Sequence, residues 1–318
     1  MLVSLVRLCS ENNYTGVDFL QNFKSKFENA FSDVLFDEPM KKHTTFKIGG
    51  NADVFISPKN VDEVKKSVSL CKEFDIPYYI IGNGSNLLVG DKGFRGVIIQ
   101  IFKNMNNIEV SGNTIIAESG AFLTSVSKKA LENSLTGLEF AAGIPGTIGG
   151  GVCMNAGAYG GEMKDVVKKV TLLKDSEVVE FSNEDACFEY RNSKILKENM
   201  IVLSTELTLE KGNFDEIKEK MNGFNKSRVE KQPLEFPSAG STFKRPVGYF
   251  AGKLIMDSGL RGYSVGGASV SEKHCGFVIN KGGATAKDVI TLIENVKNIV
   301  NDKFGVILEP EIRIIGEF

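Results

Sequence analysis

Gly137-Leu-Glu-Phe-Ala-Ala-Gly-Ile-Pro-Gly-Thr-Ile-Gly-Gly-Gly-Val-Cys-Met-Asn-Ala-Gly157 is the stretch on which the architecture of this chain turns. It is neither polar nor repetitive, so a flexible linker explains it poorly. Gly149, Gly150 and Gly151 are followed by apolar residues and then Asn155. A glycine inside a helix costs roughly 1 kcal/mol relative to alanine and so needs a reason. Two reasons are available: close packing of one element on another, or backbone left bare to lie against a large flat ligand. The density of glycine here favours the second.

Upstream lies a second glycine segment, Gly82-Asn-Gly-Ser-Asn-Leu-Leu-Val89, directly after an apolar run at 78–81 that reads as a buried strand. Consecutive glycines let backbone N–H groups converge, and Ser85 and Asn86 add side-chain donors, as in a nest for a phosphate or diphosphate. The segment departs from G-x-G-x-x-G at Leu87 and runs into a turn, Gly90-Asp-Lys-Gly93, rather than a helix. A Rossmann dinucleotide site is therefore disfavoured. A tight turn between strands accounts for the same residues about equally well.

Around these two segments the periodicity gives an α+β chain. Residues 17–30 space Phe19, Phe23 and Phe27 as a helix; 52–57 alternate as a strand; 61–74 place Val61, Val64, Val68 and Cys71 on one helical face. Short strands follow at 96–101, 108–110 and 114–118, then a helix at 121–133 with Phe122, Val126 and Ala130 on one side, then strands at 166–173, 178–181 and 200–209. A charged helix at 215–229 leads into a proline-bounded loop at 232–237. Beyond it we expect a helix at 248–258, a strand at 276–280 and a long helix at 284–303 that Thr285 and Asp288 cap. The final segment, 306–315, alternates as a strand. Glu309, Glu311 and Arg313 fall on one face, which reads as solvated, and Val306, Leu308, Ile312 and Ile314 on the other. The expected parts are an extension at 1–15, a first subdomain at 16–82 that 306–318 could rejoin, a second at 83–212, and a third domain at 213–305.

Composition excludes several functions. With 318 residues the chain is too long for one ordinary core. Its net charge of -2 and lack of a basic run argue against nucleic acid as a partner. The cysteines, Cys9, Cys71, Cys153, Cys187 and Cys275, are odd in number and lack C-x-x-C spacing, so they read as free thiols of a reducing cytosol. Arg7 lies inside the apolar N-terminal run rather than before it, so residues 1–13 do not read as a secretory signal, and no stretch is long enough to span a bilayer. Two histidines, His43 and His274, are too few for a histidine metal cage, and neither H-E-x-x-H nor G-x-S-x-G occurs. No metal site is expected.

Three further segments carry polar chemistry. Phe188-Glu-Tyr-Arg-Asn-Ser193 offers Arg191, which could grip a carboxylate with two parallel hydrogen bonds; alone it reads as an ordinary surface or ion-paired arginine. Pro237-Ser-Ala-Gly-Ser-Thr-Phe-Lys-Arg-Pro246 sets Ser241 after Gly240, so that its hydroxyl could approach a ligand; alone it reads as a capped turn. Leu308-Glu-Pro-Glu-Ile-Arg313 is the third.

Taken in order, these segments resemble the UDP-N-acetylenolpyruvoylglucosamine reductase family. The matching signatures are Thr44-Thr-Phe-Lys-Ile-Gly-Gly50, the loop at 82–89, Ala142-Gly-Ile-Pro-Gly-Thr-Ile-Gly-Gly150, Asn155-Ala-Gly157, Tyr190-Arg-Asn-Ser193, Ala239-Gly-Ser-Thr-Phe-Lys244 and Leu308-Glu-Pro-Glu-Ile-Arg313. They run from about His43 to the end of the chain. The resemblance implies two FAD-binding subdomains of the vanillyl-alcohol-oxidase (PCMH-type) superfamily and a smaller α+β domain for the sugar nucleotide. The short connection from Leu260 to Val278 looks like the type lacking an extra tyrosine loop.

By the same resemblance Gly82, Asn83, Gly84, Ser85 and Asn86 would bind the diphosphate of FAD. Ile144, Pro145, Gly146, Gly149, Gly150, Asn155 and Gly157 would line its flavin and adenine portions. Arg191, Ser241 and Glu311 map onto the family's catalytic positions. The implied activity is NADPH-dependent, FAD-mediated reduction of UDP-N-acetylglucosamine enolpyruvate to UDP-N-acetylmuramate in peptidoglycan precursor synthesis. Arg191 would pair with the substrate carboxylate, a neutral Glu311 would donate to the same oxygens, and Ser241 would protonate the carbon beside it. Lys231 or Lys244 could assist Ser241. Tyr190 belongs with the substrate site, and Lys231, Arg245 and Arg313 are candidates for its phosphates. His274 could face the sugar nucleotide or pack as a core imidazole. The alternative is another FAD-dependent oxidoreductase of the same superfamily. A cytoplasmic monomer acting on a small molecule, without nucleic acid or membrane partners, completes the expectation.

Overall fold

A computed structural model describes residues 16–318; the extension expected at 1–15, with Cys9, lies outside them. The alternation of Asn51–Ile56 drives Ala52, Val54 and Ile56 into the interior, and the strand sits inside a four-stranded mixed sheet. Its order is Val34–Pro39, Asn51–Ile56, Phe94–Gln100, Tyr78–Ile81; the first pair is antiparallel and the rest are parallel. The helix Val61–Glu73 begins where the Asn60 side chain accepts from Glu63 N, and it buries Val64, Val68 and Cys71 against this sheet. Phe23 and Phe27, from the helix Gly16–Ala30, close the same core.

The second region is a five-stranded antiparallel sheet ordered Glu177–Ser182, Val167–Lys174, Ile201–Thr208, Thr114–Glu118, Ile108–Ser111. Its helix Leu123–Glu132 turns Leu123, Val126 and Ala130 inward. Leu173, Ile201 and Leu203 pack into the first core, so the two sheets are joined by apolar contact. The third region is a four-stranded antiparallel sheet ordered Ser238–Ser241, Phe277–Asn280, Ala268–Val270, Ser264–Val265, backed by the helix Ala286–Phe304. Thr285 and Asp288 form the expected capping box, and Gly305 (φ 66°) ends the helix. Between Leu260 and Val278 the chain makes only a small hairpin.

Two expectations are corrected. One is the placing of the helix after Gly212 in the third domain. Phe214–Lys231 instead packs on the second region, against the turn Glu139–Gly143 and the helix Leu123–Glu132; Met221 Sδ lies 4.0 Å from Ser127 Oγ. Its two buried residues, Ile217 and Met221, lie four apart on the face turned to that surface. The strand expected at 306–315 survives only as Arg313–Ile315, which pairs in parallel with Leu87–Val89. Pro310 has no N–H to give a continuous ladder. Upstream of the strand the backbone leaves regular alternation, and Leu308 and Ile312 bury in the third core while Ile314 is 39% exposed. Among the described residues no helix is long and apolar enough to cross a membrane.

The turn at 90–93 ties the first region to the third. Both carboxylate oxygens of Asp91 accept from the start of the long helix, from Ala286 N at 2.7 Å and Lys287 N at 2.9 Å. Negative charge at a helix N-terminus also suits the macrodipole. Asp91→Ala should lower stability by about 1–2 kcal/mol, read as a shift of the urea midpoint at constant slope.

Candidate active site

Two cavities meet at the junction of the three regions. The larger encloses about 1270 Å³, beyond the roughly 300–1,000 Å³ of a drug-sized ligand site, and so has room for a dinucleotide. Its walls include residues 82–86, 144–146, Gly149, Gly150 and Gly157. The smaller encloses about 390 Å³ on the third region. Arg191, Ser241 and Glu311 line both.

The loop at 82–86 leaves the strand Tyr78–Ile81 at the mouth of the large cavity. Gly84 takes φ +64°, and a Cβ there would stand 2.1 Å from His43 O. Asn83 Nδ2 donates to Pro145 O at 2.8 Å and so couples this loop to the second glycine segment. Among the described residues nothing accepts from the backbone N–H groups of Asn83, Gly84 or Ser85. A row of free amides on a glycine turn is a nest for an anion.

Across the cavity, Thr147 opens the short helix Ile148–Cys153, its side chain accepting from Gly150 N at 3.5 Å. The glycines of this helix divide by role. A Cβ on Gly149 would sit 2.0 Å from Ser119 Oγ, and one on Gly151 would sit 2.9 Å from Leu123 Cδ1. These two permit close packing. Gly150 and Gly146 would meet nothing nearer than 3.8 and 3.7 Å, and both line the cavity. Both explanations of the glycine run therefore hold, at different residues. Free donors on one wall and bare backbone on the other fit the diphosphate and the flat ring of FAD.

The polar cluster forms where the chain's last segment crosses the third sheet. Glu311 N donates to Thr242 O at 2.8 Å and Lys244 N to Glu309 O at 2.8 Å. This short pairing sets Glu311 beside the residue that follows Ser241. Asn86 Nδ2 donates to Glu311 O at 3.3 Å, and Arg313 N to Asn86 O at 2.9 Å, which ties the cluster to the glycine loop. Arg191 arrives from the second region on the tight turn 189–192, at φ +53°. Its Nε donates to Glu311 Oε1 at 2.9 Å and its Nη2 to Gly157 O at 3.0 Å. A non-glycine residue in the left-handed region costs of order 1–3 kcal/mol and is typical of functional sites.

Glu311 does not lie on the solvated face expected for it: its side chain is 13% exposed. Burial pushes its carboxyl up, the Arg191 charge and hydrogen bond pull it partly back, and the balance lies above the usual carboxylate range. Ser241 is exposed at the end of an edge strand, and among the described residues its hydroxyl has no protein partner.

Other expected residues divide. Tyr190 OH accepts from Arg245 N at 3.2 Å, and Arg245 stacks on Phe250 at 3.9 Å; Tyr190 and Arg245 line the small cavity. Arg313 lines the large cavity rather than the small one, because its strand runs beside Leu87–Val89. Lys231, exposed at the end of its helix, reaches neither cavity. Lys244 lines neither and pairs with Glu309 at 3.1 Å, although its charge still lowers the Glu311 carboxyl. Asn155 does not line the large cavity. It is fully buried and its amide is used internally, donating to Glu162 and Glu189 O and accepting from Lys164 N. His274 is half-buried, packs edge-on to Phe277 and lines the small cavity. Burial lowers its pKa, which keeps the ring neutral at pH 7. Burial raises the Cys153 thiol to about 12, so this cavity-lining sulfur stays protonated. Among the described residues no group of His, Cys, Asp and Glu could hold a metal.

Sequence reasoning missed Thr147 and Arg228. Thr147 had a signal, a threonine directly before a helix start. Arg228 lines the large cavity with no acidic partner among the described residues, donating only to Gln232 Oε1 at 3.1 Å. Nothing in its charged helix marked it out.

The comparisons agree with this geometry. Residues 52–182 match the FAD binding domain family, and residues 232–315 match the family described as UDP-N-acetylenolpyruvoylglucosamine reductase, C-terminal domain. The UDP-N-acetylenolpyruvoylglucosamine reductase of Alkaliphilus oremlandii is 56% identical over 89% of this chain and 94% of its own length. That of Clostridium botulinum (strain Okra / Type B1) is 54% identical over 93% and 98%. The crystal structure of UDP-N-acetylenolpyruvylglucosamine reductase from Thermus caldophilus superposes with a TM-score of 0.77 at 32% identity, covering 89% of this chain and 98% of that one. The fold is the α+β, FAD-binding one expected, and the chain belongs to the UDP-N-acetylenolpyruvoylglucosamine reductase family.

Proposed function

We propose that this chain reduces UDP-N-acetylglucosamine enolpyruvate to UDP-N-acetylmuramate with NADPH, as a cytoplasmic monomer in peptidoglycan precursor synthesis. One observation carries the assignment of roles: Arg191, Glu311 and Ser241, far apart in sequence, line the place where the two cavities meet. The glycine-walled cavity would hold FAD, which when bound would supply hydride transfer from NADPH to the methylene carbon of the enolpyruvyl ether. Residues 83–85 would hold the diphosphate with their free amides, and Gly146 and Gly150 would leave room for the ring.

The small cavity would take the sugar nucleotide. Arg245, Lys273 and Arg261 on its wall supply positive charge for the phosphates. As negative charge builds beside the substrate carboxylate, Arg191 would neutralise it by a paired contact. Glu311 helps only while it carries its proton, since a second carboxylate would repel that charge. The environment favours this state, because burial already raises its pKa. Ser241 would deliver the proton to the carbon next to the carboxylate. Among the described residues its edge position leaves the hydroxyl free of internal partners. Neither Lys231 nor Lys244 lines the cavities, but the charge of Lys244 is felt at Glu311, so Lys244 or water would assist Ser241.

Two measurements test these roles. In stopped flow, Ser241→Ala should bleach with NADPH at the parent rate and reoxidise with the enolpyruvyl sugar nucleotide at least roughly a hundredfold more slowly; equal slowing of both halves refutes the acid role. Glu311 titrates above its unfolded value of 4.5, so its contribution to stability is fully present below pH 4.5 and is lost as pH rises through the folded pKa. The stability of Glu311→Gln relative to the parent should therefore be constant below that pH and rise above it. Urea melts from pH 4 to 8 would show this; a flat difference contradicts a raised pKa.

A further inference from the structure

The strand that carries Ser241 is weakly determined by its own sheet. Ser238–Ser241 is an edge strand, with a register irregularity between Ser238 and Ser241 and Gly240 at φ +78°. A bulged edge strand has a partner on one side only and can shift along it. The position of a proton donor must nevertheless hold to a fraction of an ångström against the reacting carbon. Glu311 N holds Thr242 O just beyond Ser241, so what remains to be fixed on the open side is the Ser238 end of the strand.

A short strap, residues 43–45, lies there. Thr45 N donates to Gly84 O at 3.2 Å, and Thr45 Oγ1 donates to Ser238 O at 2.7 Å. One residue thus bonds both the glycine loop of the large cavity and the strand that ends in Ser241, across 193 positions of sequence. The strap itself is held firmly. His43 Nε2 meets Glu38 Oε1 at 2.9 Å, the ring stacks on Phe55 at 4.0 Å, and Thr44 Oγ1 donates to Ile48 O at 3.1 Å.

We infer that Thr45 is a positioning residue for proton delivery: its hydroxyl holds the Ser241 strand in register with the cofactor loop. This rests on the reading of Ser241 as the proton donor. Thr45 also lines the large cavity, so the test separates a contact with FAD from an effect on the strand.

The FAD-loaded enzyme is compared with Thr45→Val, which keeps shape and loses the donor, and with Thr45→Ser, which restores it. Thr45→Ala serves the same comparison should valine crowd the wall. Hydrogen exchange followed by mass spectrometry should show the amides of 238–241 exchanging roughly tenfold faster in Thr45→Val, with the helix Ala286–Phe304 unchanged. FAD affinity by fluorescence should stay within about twofold. Turnover should fall roughly tenfold with KM little altered and a larger solvent deuterium isotope effect. Thr45→Ser should reverse all of these. Unchanged exchange at 238–241, failure of serine to rescue, or loss of FAD as the main effect overturns the inference. Ser241→Ala separates the two levels. If it leaves substrate reduction intact, the proton-donor reading fails; if it blocks reduction while Thr45→Val does not, only the role of Thr45 fails.

Discussion

Two backbone hydrogen bonds, Glu311 N to Thr242 O and Lys244 N to Glu309 O, organise the reactive end of this molecule. They join the chain's last segment to the edge of the third sheet. Without them Glu311 and Ser241 have no reason to be neighbours, and Arg191 has no carboxylate to meet. Pro310 sits between the two bonds, where no donor is required. The same segment then pairs with Leu87–Val89, so one stretch of backbone touches both the strand that ends in Ser241 and the glycine loop at 82–86.

The Arg191–Glu311 pair is poorly explained by stability alone. Desolvating two charges cancels much of their attraction, and such pairs are often no better than apolar packing. Arg191 adds a left-handed backbone. A site of this kind is understandable when a third partner is expected. A substrate carboxylate would compete for the guanidinium, and the carboxyl released from it would retain its proton more readily still, because burial remains while the compensating charge is shared.

The glycine run illustrates how one composition serves two ends. Gly149 and Gly151 let the short helix approach Ser119 and Leu123, which fixes its height above the second sheet. Gly150 and Gly146 then expose backbone at that height to the cavity. Alanine at the first pair would lift the wall, whereas alanine at the second would occupy the space it encloses.

The sequence alone determined the α+β class, most helices and strands and the two glycine segments; Arg191, Ser241 and Glu311 were singled out by the family resemblance, since each read alone as an ordinary surface residue or turn. Apolar spacing and glycine placement are local properties, readable over ten or twenty residues. It misjudged the segment 306–315, where alternation was genuine but Pro310 and cross-sheet pairing overrode it. It also misjudged Asn155, whose motif is real but whose amide is consumed in the wall behind the cavity. Lys231 and Arg313 were equal candidates as sequence; only the path of their backbones removed one from the site and moved the other to the larger cavity. The tertiary structure decided which distant residues share a boundary, because that depends on strand pairing and helix docking over separations of a hundred residues or more. Charge burial followed from the same packing, and with it the raised pKa of Glu311.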